Sequence, residues 1–227
     1  GTELLFAALL YGIGVLPALR LPSTRVPRDL EARVGARALA RSVTIRQGVL
    51  SAGGLRFLVG FISLHLAFAL RGEGQGEYVG LGVIVGAATL GNLIGALIAP
   101  RLRRRLKEEG IILASLVVAG AVGVAVGFWF SVAAAGVLVF AFAIASGASK
   151  LSFDSIVQRD VPHGARGWAF ARFEAALQLA WVMGAVLPVI PGVDIPKGPG
   201  VLAAGLAANT LAILLVAGRH RARAGAL

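Results

Sequence analysis

Six stretches of the chain contain no Asp, Glu, Lys or Arg, and even the shortest is 14 residues long. A membrane-spanning helix needs about 20 mostly apolar residues to cross about 30 Å of hydrocarbon. The six stretches are residues 4–19, 57–70, 78–100, 110–149, 175–193 and 198–218. The helix predicted from residues 175–193 extends back toward Phe170. Because 57% of the chain is hydrophobic and only 15% is charged, against about 25% in soluble domains, the sequence predicts an all-α integral membrane protein.

Two of these stretches differ in length from a single crossing. Residues 110–149 number 40, twice the need, and predict two helices that turn near 130–131. Residues 57–70 are too few alone, but they complete a span if the helix begins near Gln47 and includes Arg56. The sequence therefore predicts seven spans in all.

The basic residues are distributed asymmetrically about these spans. If the segment 20–46 is cytoplasmic and the later segments alternate, 19 of the 22 basic residues are cytoplasmic and Arg71 and Lys197 are outside. Arg56 is the remaining one and lies within the membrane. The positive-inside rule predicts this asymmetry in the cell membrane. The net charge of +11 thus reports topology, and nucleic-acid binding is excluded because it would need the charges gathered on one soluble face.

This topology divides the chain into four parts. Residues 1–20 are one span, 21–46 a basic cytoplasmic linker, 47–218 a six-span bundle and 219–227 a cytoplasmic tail. In the linker, apolar residues recur at helical spacing between arginines, as in a helix that lies on a membrane surface. The only methionine is Met183, so we expect that the chain begins inside a longer protein or has been processed.

The sequence contains no recognisable catalytic or cofactor motif. It has no Cys, which excludes disulfides and thiolate metal sites. It also has no His, Asp and Glu cluster at metal-ligand spacing, no nucleophile elbow and no phosphate loop. We therefore expect neither an enzyme nor a cofactor.

The order of one span, a long basic linker and six spans resembles the major facilitator superfamily. Its members have two six-helix halves joined by a long cytoplasmic loop, and each half contains inverted three-helix repeats. The chain is similar to the last helix of the first half, the central loop and the whole C-terminal six-helix bundle.

One motif of that family is matched at residues 91–105. The run is similar to the Gly-x-x-x-Asp-Arg-x-Gly-Arg-Arg loop between helices eight and nine, and Arg101 and Arg104 match its basic positions. Pro100 stands in place of the Asp and Arg103 in place of a glycine, so the carboxylate of the family's gating latch is missing here.

Two glycine pairs have the spacing of close helix packing in membranes. They are Gly91-x-x-x-Gly95, at the start of the motif, and Gly123-x-x-x-Gly127.

A second motif lies at residues 158–168. It resembles the Val-Pro-x-x-x-Arg-Gly-Arg loop before helix eleven, which is frequent in efflux-type branches, with matches at Pro162, Arg166 and Gly167 and with Trp168 in place of the second arginine. The resemblance implies that both motifs form cytoplasmic gating loops.

The resemblance also implies a function. A chain of this kind would act in secondary active transport, in proton-coupled export of small amphipathic molecules such as drugs, macrolides or siderophores. Its partners would be the bilayer, a small-molecule substrate and the N-terminal half of the same transporter. The alternative is a non-transporting scaffold or an accessory subunit, which an odd number of spans would fit.

Ionisable residues inside a membrane are costly and usually functional. Arg56 either gates or binds an anionic substrate, or it snorkels inward or pairs with a carboxylate. His65 lies nine residues further on, and nine steps of about 100° put it on the opposite helix face. Because the charge of histidine changes near physiological pH, His65 is a candidate proton carrier, and its alternative role is a hydrogen bond between helices.

Glu174, Gln178 and Trp181 share one helix face at spacing i, i+4 and i+7. They either line the central cavity or join this helix to its neighbours. Glu174 is a candidate proton carrier, and its expected partner is Arg56 or Arg172.

Two further polar pairs lie at helical spacing. Thr89 and Asn92 share a face and predict hydrogen bonds between helices, with substrate contact as the alternative. Lys150 and Asp154, at i and i+4, predict a local ion pair.

Overall fold

The computed structural model describes residues 9, 33–37, 42–69, 75–128 and 131–190. Within them the chain forms five long helices and no strand. The helices are α1 Val43–Ala69, α2 Gln75–Leu102, α3 Glu108–Phe128, α4 Val132–Asp160 and α5 Arg166–Val186, with short 3-10 turns at His163–Ala165 and Leu187–Val189.

All five helices are long and apolar enough, by length and composition, to cross a membrane. They confirm the prediction of an all-α, multi-pass membrane protein. The predicted spans at 4–19 and 198–218 lie outside the described residues. So do most of the linker and the tail.

Several helix ends differ from the ends of the charge-free stretches. The predicted turn near 130–131 is confirmed, because Ser131 caps α4 by accepting a hydrogen bond from the backbone N–H of Ala134 at 3.1 Å. Helix α1 begins at Val43, before the expected Gln47. Helix α4 continues to Asp160, because charged residues near the end of a span can sit on the helix surface without breaking its backbone hydrogen bonds.

One end of the bundle collects most of the described charges. There α2 ends and α3 begins, at 102–108, and α4 ends and α5 begins, at 160–166. Helix α1 also starts at this end, since the Ser42 hydroxyl donates to Asp160 at 3.1 Å. We call it the basic end.

The most extensive helix contacts are between α2 and α4, followed by α1 with α5 and α3 with α4. The core follows α1 and α4. Phe61 and Phe142 lie in one buried cluster, and Phe153 meets Phe173 edge-on in another, with ring centroids 5.2 Å apart. Lipid is as apolar as this core, so close packing rather than burial from water must hold the helices together.

Glycines allow α1 and α5 to cross in backbone contact. A Cβ on Gly60 would run into the carbonyl oxygen of Trp181, and one on Gly184 would run into the carbonyl oxygen of Phe57. Each helix thus contributes a glycine that faces a carbonyl of the other, which requires glycine at both positions.

The crossing of α2 and α4 has the same construction. A Cβ on Gly91 would lie 2.6 Å from the carbonyl oxygen of Phe140, and one on Gly147 would lie 2.9 Å from that of Asn92. Gly95 also faces α4, at the carbonyl of Ile144. The packing role predicted for Gly91-x-x-x-Gly95 is therefore confirmed.

The other predicted glycine pair does not make such a crossing at Gly123. A Cβ there would be 3.7 Å from the ring of Phe142, an ordinary van der Waals distance. The side-chain surroundings of Gly127 lie outside the description.

Candidate functional site

A cleft of about 80 Å³ opens between α1, α2 and α4. Its polar lining consists of Arg56, Ser63, Asn92 and Ser146. Its apolar lining consists of Val59, Ile62, Ala88, Val139, Phe142 and Ala143. Arg56 is the central residue of the 27-residue helix α1, and Ser146 is the central residue of the 29-residue helix α4. The cleft therefore lies halfway along the bundle.

Arg56 lies deeper than the sequence predicts. At 1.5 Å per residue, α1 is about 40 Å long and its central residue is about 20 Å from either end. A helix that began near Gln47 would place Arg56 only about 13.5 Å from that end, and the difference arises because the helix begins at Val43. The depth disfavours snorkelling, because the side chain is much shorter than this distance. Among the described residues Arg56 also has no hydrogen-bond or ion-pair partner.

Asn92 and Thr89 do not hydrogen-bond to other helices. The Asn92 amide donates to the carbonyl of Ala88 at 3.2 Å, and the Thr89 hydroxyl donates to that of Val85 at 2.9 Å. Both bonds stay within α2. The prediction of bonds between helices was wrong because a side chain on a helix can bond to the carbonyl four residues earlier. Asn92 also lines the cleft, and its amide keeps a second N–H for a hydrogen bond there.

A charged cluster joins α4 to α5. Lys150 Nζ lies 2.7 Å from Asp154 Oδ1 and 3.2 Å from Glu174 Oε2, and the Gln178 amide donates to Glu174 Oε1 at 3.3 Å. The predicted Lys150–Asp154 pair is confirmed. The Lys150–Glu174 pair is thus an ion pair between α4 and α5, well away from the hydrogen bonds that Arg166 makes where the two helices meet.

The expected partner of Glu174 was wrong. Glu174 pairs with Lys150, whereas Arg172 lies over the ring of Trp168, 5.7 Å from its centroid. Arg56 lines the cleft and makes no ion pair with Glu174. Helical spacing identified the face that carries Glu174 but gave no information about the neighbouring helix.

Trp181 lies on the same stripe as Glu174 and is partly buried. Its backbone carbonyl forms the α1–α5 crossing at Gly60. Its place on the helix is therefore tied to packing as well as to the polar face.

His65 is buried and does not line the cleft. Its ring stacks on Phe61 with centroids 5.0 Å apart and an 18° angle between planes. The structure thus separates His65 from Arg56, in agreement with the prediction that they face opposite sides of α1.

The loop between α2 and α3 lacks a carboxylate latch. Arg101 donates to the carbonyl of Leu97 at 3.1 Å. Together with Arg104 it lines a shallow depression at the basic end. Neither arginine makes an ion pair in the described part of the chain.

The loop between α4 and α5 is closed by Arg166. Its guanidinium donates to the carbonyls of Val161, at 3.1 Å, and of Gln158, and it contacts His163 Nδ1 at 2.9 Å. These bonds satisfy carbonyls that the end of α4 leaves free. Pro162 precedes the turn.

Two neighbouring positions complete that loop. A Cβ on Gly167 would meet nothing within 4 Å, so space does not require glycine there. A Cβ on Gly35 would run into the Trp168 ring. The linker segment 33–37 therefore packs against the start of α5.

An ion-pair network at the basic end was not anticipated. Arg159 lies 3.1 Å from Glu108, 2.9 Å from Glu109 and 2.8 Å from Asp160. It ties the start of α3 to the end of α4. The sequence does contain a signal for this network. Glu108 and Glu109 lie in the first turn of one helix and Arg159 lies in the last turn of the next. Consecutive helices are antiparallel neighbours, so these two ends lie side by side.

The described residues hold no group of three His, Asp or Glu side chains that could bind a metal ion.

Comparison with known proteins gives a limited result. No family model matches the chain, and no solved structure matches it. It is 34% identical over 152 residues to an uncharacterized protein of Mycobacterium leprae (strain TN), in an alignment covering 63% of this chain and 25% of that protein. The match thus spans a quarter of the relative's length, and its name gives no activity.

Proposed function

We propose that the chain belongs to a secondary active transporter of the major facilitator type and carries the C-terminal half of its membrane domain. In this proposal the protein exports small amphipathic molecules in exchange for protons. The observation that carries the proposal is the pairing of the helices.

In a half built from two inverted three-helix repeats, α1, α2 and α3 form the first repeat and α4 and α5 begin the second. In this scheme α1 corresponds to α4 and α2 corresponds to α5. A contact between α1 and α5 in one repeat order is therefore equivalent to a contact between α4 and α2 in the other. These are the two strongest contacts between helices of different repeats. Both are made by reciprocal glycines against carbonyls. Helices α1 and α4 also run in opposite directions, as inversion requires.

The position of the polar groups also supports transport. Substrate sites of such transporters lie near the middle of the membrane, which is the level of Arg56 and Ser146. The side chain of Glu174 is 43% exposed in the isolated bundle and that of Lys150 is 26% exposed. Charged groups at this depth avoid lipid, so this face suits an aqueous cavity beside a second half.

Glu174 is the proposed proton carrier. As a carboxylate it attracts Lys150, and protonation removes that attraction and weakens the link between α4 and α5. A proton at one side chain would thereby change how two helices are held together.

The proposal can be tested on full-length protein in proteoliposomes with an imposed pH gradient. We expect the gradient to accelerate export by the wild type. Glu174→Gln should lose that acceleration while downhill exchange persists, because a permanently neutral side chain cannot carry the proton.

Glu109→Gln provides a matched control, since it neutralises a carboxylate at the basic end. It should keep the coupling. Unchanged coupling in Glu174→Gln would exclude this residue as the carrier. The absence of gradient-driven export by the wild type for every amphipathic compound tried would favour the scaffold or accessory-subunit alternative.

A further inference from the structure

We infer that the cleft around Arg56 binds an organic acid group of the transported molecule. This assignment rests on the proposed function and adds the charge of its substrate. The cargo would be an amphipathic anion, with its carboxylate at Arg56.

No described side chain pairs with the guanidinium of Arg56. A guanidinium stays protonated in proteins, and at mid-depth in a membrane an isolated charge is expensive. A stable arrangement therefore needs an anion near it, and the described residues supply none.

The acidic residues that the structure describes make no ion pair with Arg56. Those in the described helices away from the ends are Asp154 and Glu174, and both are paired with Lys150. Glu108 and Glu109 are held at the basic end by Arg159. The predicted span 198–218 contains no acid at all. The described part of the chain thus leaves Arg56 without a paired carboxylate, and a ligand can supply one.

The polar side chains that line the cleft offer several hydrogen-bond donors. The guanidinium offers five N–H donors, and the Asn92 amide keeps a second N–H besides the one given to Ala88. The Ser146 hydroxyl, which has no described hydrogen bond, is a further donor. A carboxylate is an acceptor with two oxygens, which these donors match, and no carboxylate lines the cleft to repel it.

The cleft is small and most of the residues that line it are apolar. About 80 Å³ is well below the roughly 300–1,000 Å³ of a pocket that encloses a drug-sized ligand. The cleft can therefore hold an acid group while the rest of the molecule lies outside it. Phe142, Val139 and Ile62 form apolar walls, and the low local dielectric strengthens attraction between guanidinium and carboxylate.

Lys150 does not offer a comparable site. Two carboxylates lie within 3.2 Å of its ammonium group, so an added anion would meet their negative charge. The contrast between a neutralised lysine and an uncompensated arginine is what selects the Arg56 cleft.

The test uses three probes of nearly equal size: benzoate, benzamide and benzylamine. Their binding to full-length protein in nanodiscs is measured by isothermal titration calorimetry. We expect the wild type to bind benzoate about 10- to 100-fold more tightly than benzamide and benzylamine least. Equal affinity for benzoate and benzamide in the wild type would overturn the inference, and this comparison needs no mutant.

Variants then locate the site. Arg56→Gln should lose the preference for benzoate, and Arg56→Lys should keep part of it because the charge remains without the planar donor pair. Arg172→Gln is the matched control, since it removes a guanidinium that lies on Trp168, and it should leave benzoate affinity within about twofold. Retention of the full preference in Arg56→Gln would overturn the inference.

The two proposals can fail separately. A benzoate preference that depends on Arg56, without gradient-driven export, would refute the proposed transport and leave the anion site standing. Gradient-driven export without any benzoate preference would refute the anion site alone.

Discussion

Replacing Gly184 by alanine should destabilise the bundle, although alanine is the better helix former. In a helix interior the exchange gains about 0.8–1 kcal/mol from propensity. The new methyl group, however, points into the carbonyl oxygen of Phe57, a backbone atom that moves only if the whole helix moves. Overpacking of this kind costs about 1–3 kcal/mol, so the net loss should be about 0–2 kcal/mol.

Gly60→Ala should behave alike, because it meets the carbonyl of Trp181 across the same crossing. The double variant is the sharper test. Once the helices have separated to admit one methyl group, the second meets less resistance, so the combined loss should be smaller than the sum.

The free energy of unfolding can be measured in mixed micelles, with SDS as the denaturant and circular dichroism as the signal. Gly86→Ala is the matched control, since its Cβ would meet nothing within 4 Å. It should be neutral or stabilising by up to about 1 kcal/mol. Equal stability of Gly184→Ala and Gly86→Ala, or full additivity in the double variant, would refute the backbone crossing.

Two further predictions concern the basic end and the orientation. Arg159→Ala should speed hydrogen exchange at the start of α3 and lower the free energy of unfolding by about 1 kcal/mol, and high salt should reduce this effect because the network is partly exposed. The control Arg105→Ala removes an exposed side chain and should change neither quantity. Equal hydrogen exchange in the two variants would contradict the network. Lys107→Cys should react with an impermeant maleimide only from the cytoplasmic side and Ser131→Cys only from outside, each compared with the unsubstituted protein, because residues 1–227 contribute no Cys of their own. The reverse pattern would overturn the predicted topology.

The helices were predictable because charge is excluded from a membrane-spanning surface over a fixed length. For this reason the 40-residue stretch divided correctly at Ser131. The helix ends were less predictable, since a helix can continue into the polar interface. Residues 150–160 include four charged residues and are still helical. The length of the charge-free stretch therefore underestimates the length of this helix.

The candidate site was predictable residue by residue but not in its pairings. Helical spacing correctly separated Arg56 from His65 and joined Glu174 to Gln178, because these relations lie within one helix. Two features depend on how neighbouring helices are rotated and crossed: the Lys150–Glu174 pair and the position of Ser146 in the lining of the cleft. Local spacing contains no information about that.

The two glycine crossings divide the bundle into parts that differ in stiffness. Backbone contact locks α1 to α5 and α2 to α4, and each pair should move as a rigid body. Between the pairs lie side-chain contacts of α1 with α4 and the Lys150–Glu174 bridge, which can shear by small displacements. The Arg56 cleft spans this seam, with Arg56 on one body and Asn92 and Ser146 on the other. Any sliding of the bodies must therefore alter the distance between its donors, and occupancy of the cleft and the relative position of the pairs are mechanically linked.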